Sequence, residues 1–102
     1  MRITTETKIR DYVRKHPNAK ASLSNWITLT KESTWKNIQE IRAIFPHADL
    51  VTVASGRTVI IFNISGNNHR LITALHFNTR MAFILKILTH AQYDKNNWKS
   101  EL

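Results

Sequence analysis

Arg70, Lys86, His90 and Tyr93 are the residues whose side chains best suit the cleavage of a phosphodiester. Cutting RNA without a metal requires a base for the proton of the ribose 2′-hydroxyl, an acid for the departing 5′-oxygen, and cations for the charge of the phosphorane. Histidine and tyrosine can transfer protons, whereas arginine and lysine supply charge. The four residues therefore include every group that metal-independent RNA cleavage needs.

Each of these residues also has an ordinary structural explanation. Arg70 suits a phosphate because its guanidinium stays charged and binds two oxygens at once, but a cation on a strand surface is as common. His90 would begin a helix, where the positive end of the dipole favours a neutral imidazole, although an exposed histidine at a helix start is more frequent. Lys86 can act as a base or only neutralise charge, and both roles are open.

Tyr93 would be the fourth residue of the same helix, where its ring can pack on Leu88 as a hydrophobic staple. Such packing leaves the phenol hydroxyl able to reach a base or a phosphate. Asn63 and His76 are polar residues on the same strand face as the catalytic candidates, and we expect them to bind RNA.

Several kinds of chemistry are disfavoured by composition. The absence of cysteine excludes disulfides, thiolate nucleophiles and cysteine-based zinc sites. With only Gly56 and Gly66, no phosphate-binding glycine loop can be written. The histidines lack close ligand spacing and few carboxylates accompany them. We therefore expect neither a metal ion nor an organic cofactor.

The overall composition indicates one globular domain over residues 1–102, with 42% hydrophobic residues. Fifteen Lys and Arg against seven Asp and Glu give a net charge of +8, which is typical of a protein that binds RNA or DNA. A solvated basic surface and an acidic protein partner are the alternatives. No apolar run resembles a membrane span or a signal sequence, so we expect no membrane association and a cytoplasmic location.

Apolar residues at helical spacing predict three short helices before any strand. The first is centred on Tyr12, the second on Trp26, and the third is capped by Ser33 or Thr34 and ends before Pro46. The residues at helical spacing are Ile9, Tyr12, Val13, His16, Leu23, Trp26, Ile27, Thr30, Trp35, Ile38, Ile41 and Phe45.

His16 and His47 lie beside prolines near helix ends. We expect them to be surface or capping residues.

From Leu50 onward, β-branched and aromatic runs separated by short polar turns predict an antiparallel meander of four strands. The runs are Leu50 to Val53, Thr58 to Ile64, Arg70 to Phe77 and Ala82 to Leu88. Alternation predicts one apolar face that packs on the helices. Its residues are Ile60, Phe62, Ile64, Leu71, Thr73, Leu75, Phe77, Phe83, Leu85 and Ile87.

The segment after the last strand has the pattern of a helix start. Thr89 and Gln92 are three residues apart and fit a capping box. We expect a short helix from His90 towards Trp98, with His90 and Tyr93 on one face.

Several short motifs occur in the second half of the sequence. They are Arg42-Ala43-Ile44-Phe45-Pro46, Phe62-Asn63, Gly66-Asn67, Arg70, and the most specific block, Thr89-His90-Ala91-Gln92-Tyr93-Asp94-Lys95. Together they resemble the motifs of one known family, the HigB branch of the RelE-like toxins. The resemblance covers roughly residues 41 to 98. Gln92 replaces a glutamate that is common in the block, a change that preserves capping.

The resemblance implies an α+β RelE-like fold with N-terminal helices packed on a roughly four-stranded antiparallel sheet and a short C-terminal helix. It implies a toxin that cleaves mRNA on the ribosome and is silenced by a DNA-binding antitoxin of the HigA kind. Carried onto this chain, it favours Arg70, Lys86, His90 and Tyr93 as catalytic residues, with Asn63 and Lys95 as secondary candidates.

Two other functions are compatible with the sequence. A related branch of these toxins, the ParE-like proteins, poisons gyrase and would not need a clustered acid and base. A noncatalytic basic RNA-binding module would favour exposed aromatic residues for base stacking. Here the aromatic residues mostly have core parity, which argues against the passive binding module and leaves the gyrase-directed toxin as an alternative.

Overall fold

The computed structural model describes residues 1–102 and contains a five-stranded sheet in the order β1-β5-β4-β3-β2. Helices α1 to α3 pack on one face, and a 3₁₀ turn at Pro17–Ala19 separates the first two. The elements are β1 Arg2–Thr4, α1 Glu6–Lys15, α2 Lys20–Glu32, α3 Ile38–Ile44, β2 Asp49–Thr52, β3 Thr58–Ile64, β4 His69–His76, β5 Met81–Thr89, α4 His90–Asp94 and α5 Trp98–Glu101.

The predicted α+β fold and the antiparallel order of β2 to β5 are confirmed. The expectation that the helices precede every strand was wrong, because β1 comes first and pairs in parallel with the start of β5. Three residues are too few to show alternation, and their partner lies at the far end of the sequence. The sheet therefore has five strands rather than four.

A register irregularity in the β4–β5 pair changes the predicted faces. Ile72 lies opposite Lys86 while Thr73 lies opposite Ile84, so β5 has one extra residue, Leu85. As a result Ile84 joins the helix-side core, and Leu85 packs with the cluster on the opposite face. The assignment of Phe83 and Leu85 to the helix face was wrong for this reason, since Phe83 precedes Ile84 and has the opposite parity.

The helix-side core is dense and aromatic. Trp26 of α2 is fully buried, and its ring meets Phe62 of β3 edge to face at a centroid distance of 5.4 Å. Phe45 contacts the same Phe62 ring at 5.3 Å. The third helix begins later than predicted, because Asn37 rather than Ser33 or Thr34 caps it and accepts a hydrogen bond from the Glu40 amide.

The opposite face of the sheet is covered by the C-terminal segment. Trp98 is buried against the aliphatic residues of β3 and β4, and its indole N–H donates to the Tyr93 carbonyl at 3.1 Å. The predicted helix running from His90 towards Trp98 is broken at Asn96, whose φ is 61°. Two short helices, α4 and α5, therefore replace one. No helix of this chain has the length and apolar composition needed to cross a membrane.

Candidate active site

Helix α4 is fixed at the end of β5 by the predicted capping box, which is confirmed. The Thr89 hydroxyl accepts from the Gln92 amide at 3.2 Å, and the Gln92 side-chain oxygen accepts from the Thr89 amide at 3.0 Å. The His90 amide donates to the Asn68 carbonyl in the β3–β4 turn at 2.9 Å. These bonds place the start of α4 beside the start of β4.

Arg70 lies at the start of β4 and is only 8% exposed. Its Nη1 donates to the carbonyl oxygens of Asn67 and His69 at 3.2 and 3.0 Å, and its Nη2 donates to the Asn67 side-chain oxygen. Such a set of acceptors is what allows a charged side chain to be buried. The guanidinium also lies 5.4 Å from the centre of the Tyr93 ring.

His90 has a different partner on each ring nitrogen. Nδ1 lies 3.3 Å from Arg70 Nη2, and Nε2 lies 3.0 Å from the Asp94 carboxylate. Arginine can only donate, so Nδ1 is the acceptor and the proton of the neutral ring is on Nε2, where it points at Asp94. This tautomer directs the basic lone pair of His90 towards Arg70.

Tyr93 is half-buried and stacks on Trp98 with ring centroids 5.2 Å apart. Burial raises the pKa of its phenol; the charges of Asp49 and Asp94 raise it further, while Arg70 lowers it. The hydroxyl therefore remains protonated at neutral pH and can donate a hydrogen bond. Tyr93 and Leu88 both pack against the same hydrophobic cluster, so the ring has a structural role as well.

Lys86 lies on the same sheet face as Arg70, because Ile72 is opposite Lys86 and Leu88 is opposite Arg70. Its ammonium group forms an ion pair with Glu101 of α5. The structure thus brings together Arg70, His90 and Tyr93, and it places Lys86 nearby with a separate partner.

The three candidates for RNA binding lie at different distances from this group. Asn63 is opposite Arg70 in the β3–β4 register and borders a cavity of about 100 Å³ beside the loop after α3. Lys95 follows α4 and lines a pocket of about 190 Å³ together with Lys86. His76 is at the other end of β4, about 20 Å from Arg70 at the usual rise per residue, and packs edge-on against Phe83.

Asn67, Asp94 and Glu101 contact the candidate residues but were not predicted to be site residues. Asn67 and Asp94 were named only as parts of the family motifs. Asp94 could have been found, because it is four residues after His90 on a predicted helix. Asn67 is placed by the geometry of the β3–β4 turn, and Glu101 by the chain reversal after α4. Neither position can be predicted from the spacing of residues in the sequence. No three histidine, aspartate or glutamate side chains form a group that could hold a metal ion.

A second cluster of ionisable residues lies behind Arg70, on the helix side of the sheet. The Tyr12 hydroxyl is 2.6 Å from Nδ1 of His69, and His16 stacks on Tyr12 at 4.3 Å. His69 is 4% exposed, and its Nε2 has no hydrogen-bond partner. His16 was expected to be a surface or capping residue, and it is the C-cap of α1, where its amide donates to the Tyr12 carbonyl at 2.9 Å. Its ring is half-buried in this cluster.

Burial and the nearby His16 lower the pKa of His69 in the folded protein. Above the unfolded value of about 6.5, His69 is neutral in both states. Below it, the unfolded chain takes up a proton that the folded chain resists, so the free energy of unfolding should fall as the pH drops from about 6.5 towards the lowered pKa. Urea unfolding at a series of pH values should show this decline, and His69→Gln should make it shallower. An unchanged slope in His69→Gln would contradict the assignment.

Comparisons with known proteins agree on one group. The family model for HigB toxin, described as a RelE-like toxic component of a toxin-antitoxin system, matches residues 19–96. The chain is 30% identical over 95 residues to mRNA interferase HigB of Escherichia coli O6:H1 strain CFT073, covering 93% of this chain and 90% of that protein. It is 26% identical over 94 residues to mRNA interferase toxin HigB of Escherichia coli K12 and to mRNA interferase HigB of Shigella flexneri, covering 92% of this chain and 88% of each.

Proposed function

The chain belongs to the HigB family of RelE-like toxins of toxin-antitoxin systems, and on that premise we propose that it is an endoribonuclease that cleaves mRNA on the ribosome. The observation that carries the proposal is the contact of Arg70 with His90, whose other nitrogen faces Asp94. This arrangement places a permanent cation beside a base that a carboxylate orients. The similar proteins are named as mRNA interferases.

In the proposed reaction, Nδ1 of His90 takes the proton of the 2′-hydroxyl that attacks the neighbouring phosphate. Asp94 holds Nε2–H at 3.0 Å and stabilises the imidazolium that forms, as a carboxylate does for the histidine of a serine protease. The 2′-oxygen bonds to phosphorus, and the 5′-oxygen leaves with a proton. The products are a 2′,3′-cyclic phosphate and a 5′-hydroxyl.

Arg70 responds to the arrival of the 2′-hydroxyl at His90. Four of its five N–H groups have acceptors, and one of the four points at Nδ1 of His90. Nδ1 has a single acceptor lone pair, so the 2′-hydroxyl must take the place of this Arg70 N–H at Nδ1 before the proton is transferred. The released N–H can then bind a phosphorane oxygen when negative charge has developed there, which is when such a donor contributes most to rate.

The remaining candidates have supporting roles in this proposal. Tyr93 donates its phenol proton or a hydrogen bond to the phosphate or the leaving oxygen. Lys86 and Lys95 neutralise phosphates of the bound RNA, and Asn63 and His76 contact nucleotides further away. The toxin would act in the cytoplasm, where mRNA and ribosomes are, and a DNA-binding antitoxin of the HigA kind would silence it. The reaction uses no metal or organic cofactor.

Brief induced expression, followed by sequencing of RNA 5′ ends, tests the proposal. We expect growth arrest, new mRNA ends within translated regions, and relief of the arrest when the antitoxin is expressed with the toxin. The Arg70→Lys variant, for which we expect cleavage about 10²–10³-fold slower, supplies the background of ends. Arrest with DNA damage and no new RNA ends would indicate a gyrase poison instead.

A further inference from the structure

A polar pocket lies next to the candidate active site, between β5 and the two C-terminal helices. It has a volume of about 190 Å³, and its polar lining includes Lys86, Gln92, Lys95 and Glu101. Gln92 uses its side-chain oxygen in the capping box, so its amide N–H groups point to no protein acceptor. With Asn97, which also lines it, the pocket presents two cations, two side-chain amides and one carboxylate.

The position of Glu101 in this pocket is set by its neighbours in α5. Trp98 is buried in the sheet-face cluster, and the Lys99 carbonyl accepts from the Ala54 amide at 3.0 Å. These contacts hold α5 against the sheet and direct Glu101 to Lys86. Both side chains of the ion pair remain accessible, with 27% of Lys86 and 56% of Glu101 exposed, while Lys95 has no carboxylate partner.

We infer that this pocket is a phosphate subsite for RNA, and that the Glu101 carboxylate occupies the place of an RNA phosphate on Lys86. The inference rests on the proposed ribonuclease function. A carboxylate and a phosphate are both acceptors for the Lys86 ammonium group, and because two anions held at one ammonium group repel each other, binding of one disfavours the other. The phosphate would displace Glu101 and gain Lys95 as a second cation. Glu101 thus weakens RNA binding rather than supporting it.

The test measures the affinity of a short 2′-O-methyl RNA, which the toxin cannot cleave, by fluorescence anisotropy at low salt. Glu101→Gln removes the competing charge, and Glu32→Gln is the matched control, because Glu32 is an exposed residue of α2 with no ion pair. Exposed ion pairs are weak, so we expect Glu101→Gln to bind the RNA about two- to fivefold more tightly than the control.

The same comparison in a Lys86→Met background shows whether the effect acts through Lys86. In that background, Glu101→Gln should raise the affinity for the RNA no more than Glu32→Gln does. Equal affinities of Glu101→Gln and Glu32→Gln, weaker binding by Glu101→Gln, or a gain that persists without Lys86 would each overturn the inference. A wild-type protein that does not bind the free RNA would overturn this inference alone, because the proposed cleavage takes place on the ribosome. The absence of new mRNA ends after expression would instead overturn the proposed function.

Discussion

Replacing Arg70 by lysine should lower the rate of mRNA cleavage by about 10²–10³-fold, the usual effect of losing one preorganised donor to a developing oxyanion. Lysine keeps the charge, but its donors are all on one nitrogen, so they cannot reach the Asn67 and His69 carbonyls and the phosphate in the directions that the planar guanidinium allows. Single-turnover cleavage of ribosome-bound mRNA measures the effect. Near-normal cleavage would show that Arg70 does not act on the phosphate.

The control for this change must separate catalysis from stability. Arg57→Lys is suitable, because Arg57 is exposed in the β2–β3 loop. The substitution is the same, arginine by lysine, but lies away from the candidate site. Arg70→Ala is less informative, since it leaves three protein acceptors without a donor, at a cost of about 1–3 kcal/mol for each buried group that finds no water. Urea unfolding of Arg70→Lys shows whether the protein remains folded.

A single 2′-deoxy nucleotide at the cleavage site should block cutting completely, because the attacking oxygen is then missing. The same deoxy substitution one nucleotide further along the RNA is the matched control and should be cut at the normal rate. An excess of a chelator that is selective for transition metals, added once the ribosomal complex has formed, should leave the rate unchanged while free magnesium is held at the level that ribosomes need. Cleavage at the deoxy site, or products ending in a 3′-hydroxyl, would contradict attack by the 2′-oxygen.

The parts of the fold that depend on local sequence were predicted well. The alternation in β3 and β4 shows the face that packs on the helices, and Thr89 with Gln92 marks the start of α4 because a capping box is formed by neighbouring residues. By contrast, β1 was missed because its pairing with β5 is non-local. The faces of Phe83 and Leu85 were exchanged because a bulge is decided by the partner strand.

The candidate site shows the same division. Residue types and the block from Thr89 to Lys95 pointed to Arg70, His90 and Tyr93, and the structure gathers these three residues. The sequence could not reveal that Asn67 binds the guanidinium, nor that α5 turns back to place Glu101 on Lys86. Both contacts depend on how the chain reverses direction after β3 and after α4.

The hydrogen bonds of Arg70 also determine when its conformational entropy is lost. A free arginine side chain has about 2 kcal/mol of rotamer entropy, which an exposed arginine loses when it grips a phosphate. In this protein, folding of the β3–β4 turn already fixes the guanidinium through Asn67 and His69. Little rotamer freedom then remains to be lost when RNA binds, so the order of this turn contributes directly to the rate of the chemical step.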